Sequence, residues 1–172
     1  EILEGYVADA LIEEHGKIKG IQTGPMGLDQ QRQPSAQYQP PVAIYAKHTV
    51  IAEGAKGLLA ERVSNRYQLR QQPQTYGLGV KEVWSVDADV FEPGRVIHAL
   101  GWPLPSNTYG GGFIYHGLDR KVMVGMIMGL DAKSPSLSPF DLLQRFKHHP
   151  KWSHIFAKGK PVAYGARVIN EG

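Results

Sequence analysis

The sequence predicts an α+β fold, mostly antiparallel sheet with a few helices, and three observations carry that expectation. Four β-favouring segments follow one another between Thr75 and Leu130 with no helical pattern between them, as in an antiparallel sheet. A strongly signalled helix, "SPSLSPFDLLQRFKHHP", comes next, and one more strand, "KPVAYGARVI", closes the segment. Ahead of all this lies a different texture: a hairpin, a strand and a short helix, in that order.

Taken from the start, "YVADALIEE", "HG" and "KIKGIQTG" form a hairpin around a glycine turn. "PMGLDQQRQPSAQYQPP" is rich in Gln and Pro without a pattern and reads as a surface loop. "VAIYAKHTVIAEG" reads as a strand ending at Gly54, and "AKGLLAERVSNRY" as a helix with Leu58, Leu59 and Val63 on one face. The texture changes between Arg70 and Gln74, which sets the expected domains at 1–72 and 73–172. Beyond that point "TYGLGVKEVWSV", "RVIHALGW", "GFIYHG" and "KVMVGMIMGL" are the four strands. In the helix that follows, Ser138 is the N-cap, Pro139 stands at the first helical position and Asp141 sits near the positive end. Leu142, Leu143 and Phe146 make its apolar face, and Pro150 stops it.

A chain of 172 residues, 42% apolar and 20% charged, can bury a substantial core. Its formal charge is only +3 and its basic residues are scattered, so no nucleic-acid partner is expected. Without cysteine there is no disulfide, thiolate nucleophile or cysteine-ligated cluster within these residues. The longest apolar run, Val122 to Leu130, is far shorter than the roughly 20 residues of a spanning helix. The chain opens on "EILEGYVADALIEEHG" and stops at "GARVINEG", inside patterned sequence at both ends, so a piece of a longer protein is expected.

Most of the polar clusters read as structural. His148 and His149 at a helix end, with His154 nearby, point about 100° apart and suit a helix C-terminus better than a shared metal. Asp87, Asp89, Glu92 and Asp119 lie in turns and read as solvated, and no paired carboxylates, nucleophile elbow or Walker loop occurs. "TYGLG" lacks the full dinucleotide-loop spacing and continues as a strand, although Gly77 and Gly79 flatten one face of it. The exception is "TYGGGFIYH". Three glycines begin a strand, exposing backbone N–H groups and allowing close approach, between aromatic and apolar flanks. A dry small-molecule pocket and a plain glycine bulge at a hairpin end fit equally well.

"PQTYGLGVKEVW", "PGRVIHALGWPL", "TYGGGFIYH", "LSPFDLLQRFKHHP" and "AYGARVINEG", in that order, closely resemble the electron transfer flavoprotein–ubiquinone oxidoreductases, and "HTVIAEGAKGLLAERV" resembles part of that family's FAD domain. The resemblance implies a central fragment, with the end of the FAD domain at 1–72 and the ubiquinone-binding domain at 73–172. The function it implies is passage of electrons from reduced electron transfer flavoprotein to ubiquinone, by a protein peripheral on the bacterial cytoplasmic or mitochondrial inner membrane. FAD and a four-iron four-sulfur cluster would be bound mainly outside these residues, and the fragment alone would be inactive.

Carried over residue by residue, the resemblance puts Gly110 and Gly111 at the quinone, with Tyr109 at the pocket wall. Their backbone N–H groups would donate to a quinone oxygen. Trp102, Pro103, Leu104 and Phe113 would line the pocket. Gly112 stands where a serine is expected, a departure that looks mild. Glu53 and Gly54 are the candidates to approach FAD, a strand-to-helix connector being the alternative. No catalytic acid, base, nucleophile or metal ligand is implied. His98, His116 and Tyr109 are candidates to relay protons, beside an ordinary structural role for each. Two other functions are weighed against this one: a geranylgeranyl-reductase-like flavoprotein, and a lipid-binding or membrane-docking module without redox chemistry.

Overall fold

In the computed structural model, which describes residues 1–171, β1 (Ala8–Glu14) and β2 (Lys17–Thr23) pair antiparallel around His15 and Gly16. Both turn residues have positive φ, 49° and 74°, as a two-residue hairpin turn matched to strand twist requires. The chain divides into two compact units, the first being Glu1–Gln71. The expected loop from Pro25 to Pro41 instead contains a second hairpin, β3 (Met26–Leu28) and β4 (Pro34–Gln39). The Asp29 carboxylate accepts from the Gln31 and Gln33 N–H groups, a local turn device. Every residue of β4 is exposed, so neither face carries the apolar alternation that marks a strand in sequence.

The next strand is shorter than expected. β5 (Ala43–Tyr45) pairs with β2, and 46–54 join no ladder. α1 (Leu58–Arg66) buries Leu59 and Ser64. Leu58 points outward, 51% exposed, because adjacent helical side chains diverge by about 100°. Arg62 Nη1 donates to the Asp9 carbonyl at 2.8 Å and Arg66 pairs with Glu13 at 2.6 Å, tying α1 to β1.

The second unit is a five-stranded antiparallel sheet in the order β10-β6-β9-β8-β7, with two helices on one face. Its strands are β6 (Thr75–Ser85), β7 (Val96–Leu100), β8 (Gly110–His116), β9 (Lys121–Gly129) and β10 (Lys160–Glu171). α2 (Pro139–Lys147) starts as the sequence predicts, with Ser138 Oγ accepting from the Asp141 N–H at 3.2 Å. A short α3 (Ser153–Phe156), not anticipated, follows it.

Period-two alternation sorts the sheet residues. Ile114 of β8 and Val122, Val124, Met126 and Met128 of β9 form one core with Leu142, Leu143, Phe146, Ile155 and Phe156 of the helices. Each such buried side chain contributes about 1.5–3 kcal/mol. The same side holds a buried ion pair. Glu82 accepts from Lys147 Nζ at 2.8 Å, Gln144 Nε2 at 3.0 Å and Trp84 Nε1 at 2.7 Å, and the Lys147 ammonium sits 4.5 Å from the Trp84 ring centre. Burial pushes the Glu82 carboxyl up, but the hydrogen bonds from Lys147, Trp84 and Gln144 together outweigh it and hold the group below its ordinary 4.5.

The intervening residues face the other way. Val96, His98 and Leu100 of β7 stand opposite Tyr115, Phe113 and Gly111 of β8, and these stand opposite Met123, Gly125 and Ile127 of β9. Among the described residues, no helix of this unit lies on that face.

Candidate functional site

The uncovered face holds a cleft of about 180 Å³. His98, Leu100, Tyr109, Phe113, Tyr115 and Ile127 line it around the bare backbone of Gly110 to Gly112, and Glu171 closes one side. Its walls are mostly apolar with a few convergent polar groups, a common composition for a small-molecule site.

The glycine run begins β8 for steric reasons that differ along it. Gly110 has φ +143°, and a β-carbon there would run into the Ile127 carbonyl and lie 2.7 Å from Leu104 Cδ1. A β-carbon on Gly111 would collide with the Ala99 carbonyl oxygen. At Gly112 it would lie 2.5 Å from Phe146 Cε2 and Cζ on the helix side. The exchange of the expected serine for Gly112 is therefore not mild, since a serine here would drive its β-carbon into that ring.

The expected donors also need correction at Gly111. Gly129 N–H donates to the Tyr109 carbonyl at 2.9 Å and Gly117 N–H to the Lys121 carbonyl at 2.8 Å. Gly111 lies even steps from both in one unbroken register, so its own N–H belongs to the ladder with Ile127. What Gly111 leaves to the cleft is an absence of side chain. Gly110, the first residue of the strand, has its carbonyl engaged by Gly101 N–H at 3.3 Å.

Of the expected lining residues, Phe113 stands on the cleft and three others do not. Leu104 is core, 7% exposed, and Pro103 is buried beside it. Trp102 turns toward the helices, its ring 4.9 Å from His149, which stacks on Trp152 at 4.6 Å. The turn after β7 carries "WPL" to the helix side of the sheet, a reversal the sequence does not announce.

The three proton-relay candidates separate. His98 lies on the cleft, 3.4 Å from the Tyr115 hydroxyl, and Tyr109 on its wall, 69% exposed. His116 faces the other way, 3% exposed, its Nδ1 accepting from the Glu92 N–H at 3.0 Å and its ring stacked on Phe91. Burial pushes its imidazole below the usual 6.5, and the nearby Arg95 charge adds to that against Glu92. Tyr115, Leu100, Ile127 and Glu171 also line the cleft, and no local motif marks them. Period-two spacing from Phe113 reaches Tyr115, but pairing it with His98 needs the strand register.

In the first unit Glu53 Oε2 accepts from the Ala60 N–H at 2.9 Å. One carboxylate oxygen thereby occupies the positive end of α1. Gly54, φ +81°, has open space at its α-carbon. Among the described residues no group of three or more His, Cys, Asp or Glu side chains could hold a metal.

A family model described as "ETF-QO, ubiquinone-binding" matches residues 76–169, more than half of the chain. Over its whole length the chain is 43% identical to the mitochondrial electron transfer flavoprotein-ubiquinone oxidoreductase of Homo sapiens and 43% identical to the oxidoreductase of the same name from Pseudomonas aeruginosa. It spans 29% of the human protein and 32% of the bacterial one. Among solved structures, a geranylgeranyl bacteriochlorophyll reductase-like protein from Thermoplasma acidophilum superposes with a TM-score of 0.58 at 19% identity, covering 95% of this chain and 36% of that one. At that identity the likeness concerns the fold alone. The matched segment takes in all of the cleft lining but Glu171, nearly all of the five-stranded sheet and both of its helices, and the chain belongs to the ubiquinone-binding family of the electron transfer flavoprotein–ubiquinone oxidoreductases.

Proposed function

We propose that the chain supplies the quinone site of a longer flavoprotein that passes electrons from reduced electron transfer flavoprotein to ubiquinone, peripheral on a bacterial cytoplasmic or mitochondrial inner membrane. The observation that carries this is the cleft over Gly110 to Phe113, inside the segment that matches the ubiquinone-binding family model. Residues 1–72 are read as the end of the FAD domain and 73–172 as the quinone-binding domain.

The cleft suits a quinone head group. Phe113, Leu100 and Ile127 offer apolar surface to a flat ring, Gly111 leaves its approach to the sheet free of a side chain, and Gly110 adds bare backbone to the lining. Tyr109 stands at the wall, where its exposure leaves the hydroxyl free to turn toward a ring oxygen. Removing water from around an uncharged ring is favourable by about 25 cal/mol per Å². A FAD, when bound, supplies the electrons; among these residues Glu53 and Gly54 are the candidates to approach it. A four-iron four-sulfur cluster does not fit, because the chain has no cysteine to ligate it. Membrane contact is read from exposed apolar residues such as Leu118 and Leu100, 82% and 90% exposed; no helix among the described residues is long and apolar enough to cross a membrane.

Leu100→Trp tests the site. It fills the cleft from an exposed position opposite Gly111 without the backbone collision that any side chain at Gly111 would cause. In the full-length protein it should weaken binding of a short-tail ubiquinone analogue by about tenfold or more, roughly 1.4 kcal/mol. Unchanged binding would refute the assignment.

A further inference from the structure

The geometry points to Tyr115 and His98 as the proton relay of this cleft, with Tyr115 giving a proton to the quinone oxygen and His98 replacing it. The inference rests on the quinone reading of the site, and it assigns a chemical task to a pair of residues that binding alone does not require.

Both side chains belong to the uncovered face and both line the cleft. His98 is opposite Phe113 in the β7–β8 register, so Tyr115, two residues on, is its diagonal neighbour. Their rings meet edge to face at 5.4 Å, with the Tyr115 hydroxyl 3.4 Å from His98 Nε2. That spacing is longer than a strong hydrogen bond, and catalytic contacts commonly tighten only once substrate is present. Phe113 stacks on Tyr115 at 4.7 Å and stands between the phenol ring and Gly111 along β8. His98 is exposed and can exchange protons with water, whereas Tyr115 is half-buried. His98, on the edge strand β7, is therefore the more open of the two to water, and Tyr115 the more enclosed.

The other titratable groups on the cleft are Tyr109 and Glu171. Tyr109 has no hydrogen-bonded side-chain partner among the described residues, and so no second group to return its proton. Glu171 presents its carboxylate over Gly77, at the β6–β10 side of the sheet. The buried His116 is on the opposite face, its Nδ1 already engaged.

The chemistry balances as follows. A quinone reduced to a quinol takes up two electrons, here from the flavin of the complete protein, and two protons. At the oxygen facing β8, a new O–H bond forms as the Tyr115 O–H bond breaks. The tyrosine oxygen takes the Nε2 proton of a His98 imidazolium, and His98 regains one from solvent. The other ring oxygen, toward the open side of the cleft, takes its proton from water.

The test uses the full-length protein with a short-tail ubiquinone analogue as acceptor, and ferricyanide as an acceptor that takes electrons without protons. Tyr115→Phe should lower kcat with the quinone about 100-fold, leave KM within about twofold, and leave ferricyanide reduction unchanged. His98→Ala should do the same and recover in part when imidazole is added. A lesion that merely disturbed the sheet would slow both acceptors and would not respond to imidazole. Quinone turnover within about twofold of wild type in either variant would overturn the relay. Leu100→Trp separates the two levels of inference: if it blocks quinone binding while Tyr115→Phe is silent, the site stands and the relay falls. If it leaves binding unaltered, the site itself is wrong.

Discussion

The ring of Phe146 occupies the space in which a β-carbon on Gly112 would stand, with Cε2 and Cζ each 2.5 Å from that point. Helix α2 lies against the sheet because β8 is bare there, and Phe146 is completely buried as a result. The third glycine therefore serves the core, and the first meets core Leu104 as well, whereas the second lies on the cleft side.

Gly112→Ala should destabilise the protein by about 1–3 kcal/mol, the usual cost of overpacking. Combining it with Phe146→Leu should cost less than the two single changes added, since residues in contact couple. Denaturant midpoints of the four proteins check this. Strict additivity would mean that the ring moves away without loss.

The Glu82–Lys147 pair is nearly enclosed, with side-chain exposures of 13% and 7%. Lys147→Met leaves a carboxylate buried among Gln144 and Trp84, and should cost about 3–5 kcal/mol. The double change Glu82→Leu, Lys147→Met should recover most of that loss, which thermal or denaturant unfolding would reveal. Because the Glu82 pKa is lowered on folding, its contribution is present above its unfolded value near 4.5 and is lost as pH falls below it.

His116 carries a pH dependence of its own. Its pKa is lowered in the folded protein, so the unfolded chain binds the extra proton first. The stability it contributes is complete above the unfolded value near 6.5 and declines as pH falls below it. Protonation would also break the bond that Nδ1 accepts from Glu92 N–H. Denaturation measured from about pH 7.5 down to about pH 5 should show this decline, and His116→Gln should flatten it.

Much of the second unit is legible in the sequence, because its strands alternate apolar and polar residues and its helix carries Ser138, Pro139 and an apolar stripe. The first unit is less so. The exposed β4 has no buried face to leave a pattern, and the run through Val50 has strand-like residues but no ladder partner. In the site, Gly110, Gly111, Tyr109 and Phe113 come from local motif, whereas Leu100, His98 and Tyr115 converge only through the β7–β8 register. Trp102 shows the converse. Its neighbours in sequence suggest the cleft, yet the chain turns it onto His149.

Photolabelling with an azido-ubiquinone analogue, followed by peptide mapping of the full-length protein, tests the central claim most directly. Labels on Leu100 or within Tyr109 to Tyr115, suppressed by excess unlabelled analogue, are the predicted result. Suppressible labelling that instead falls on the helix side of the sheet, in the apolar groove between Phe140 and Tyr164, would contradict it.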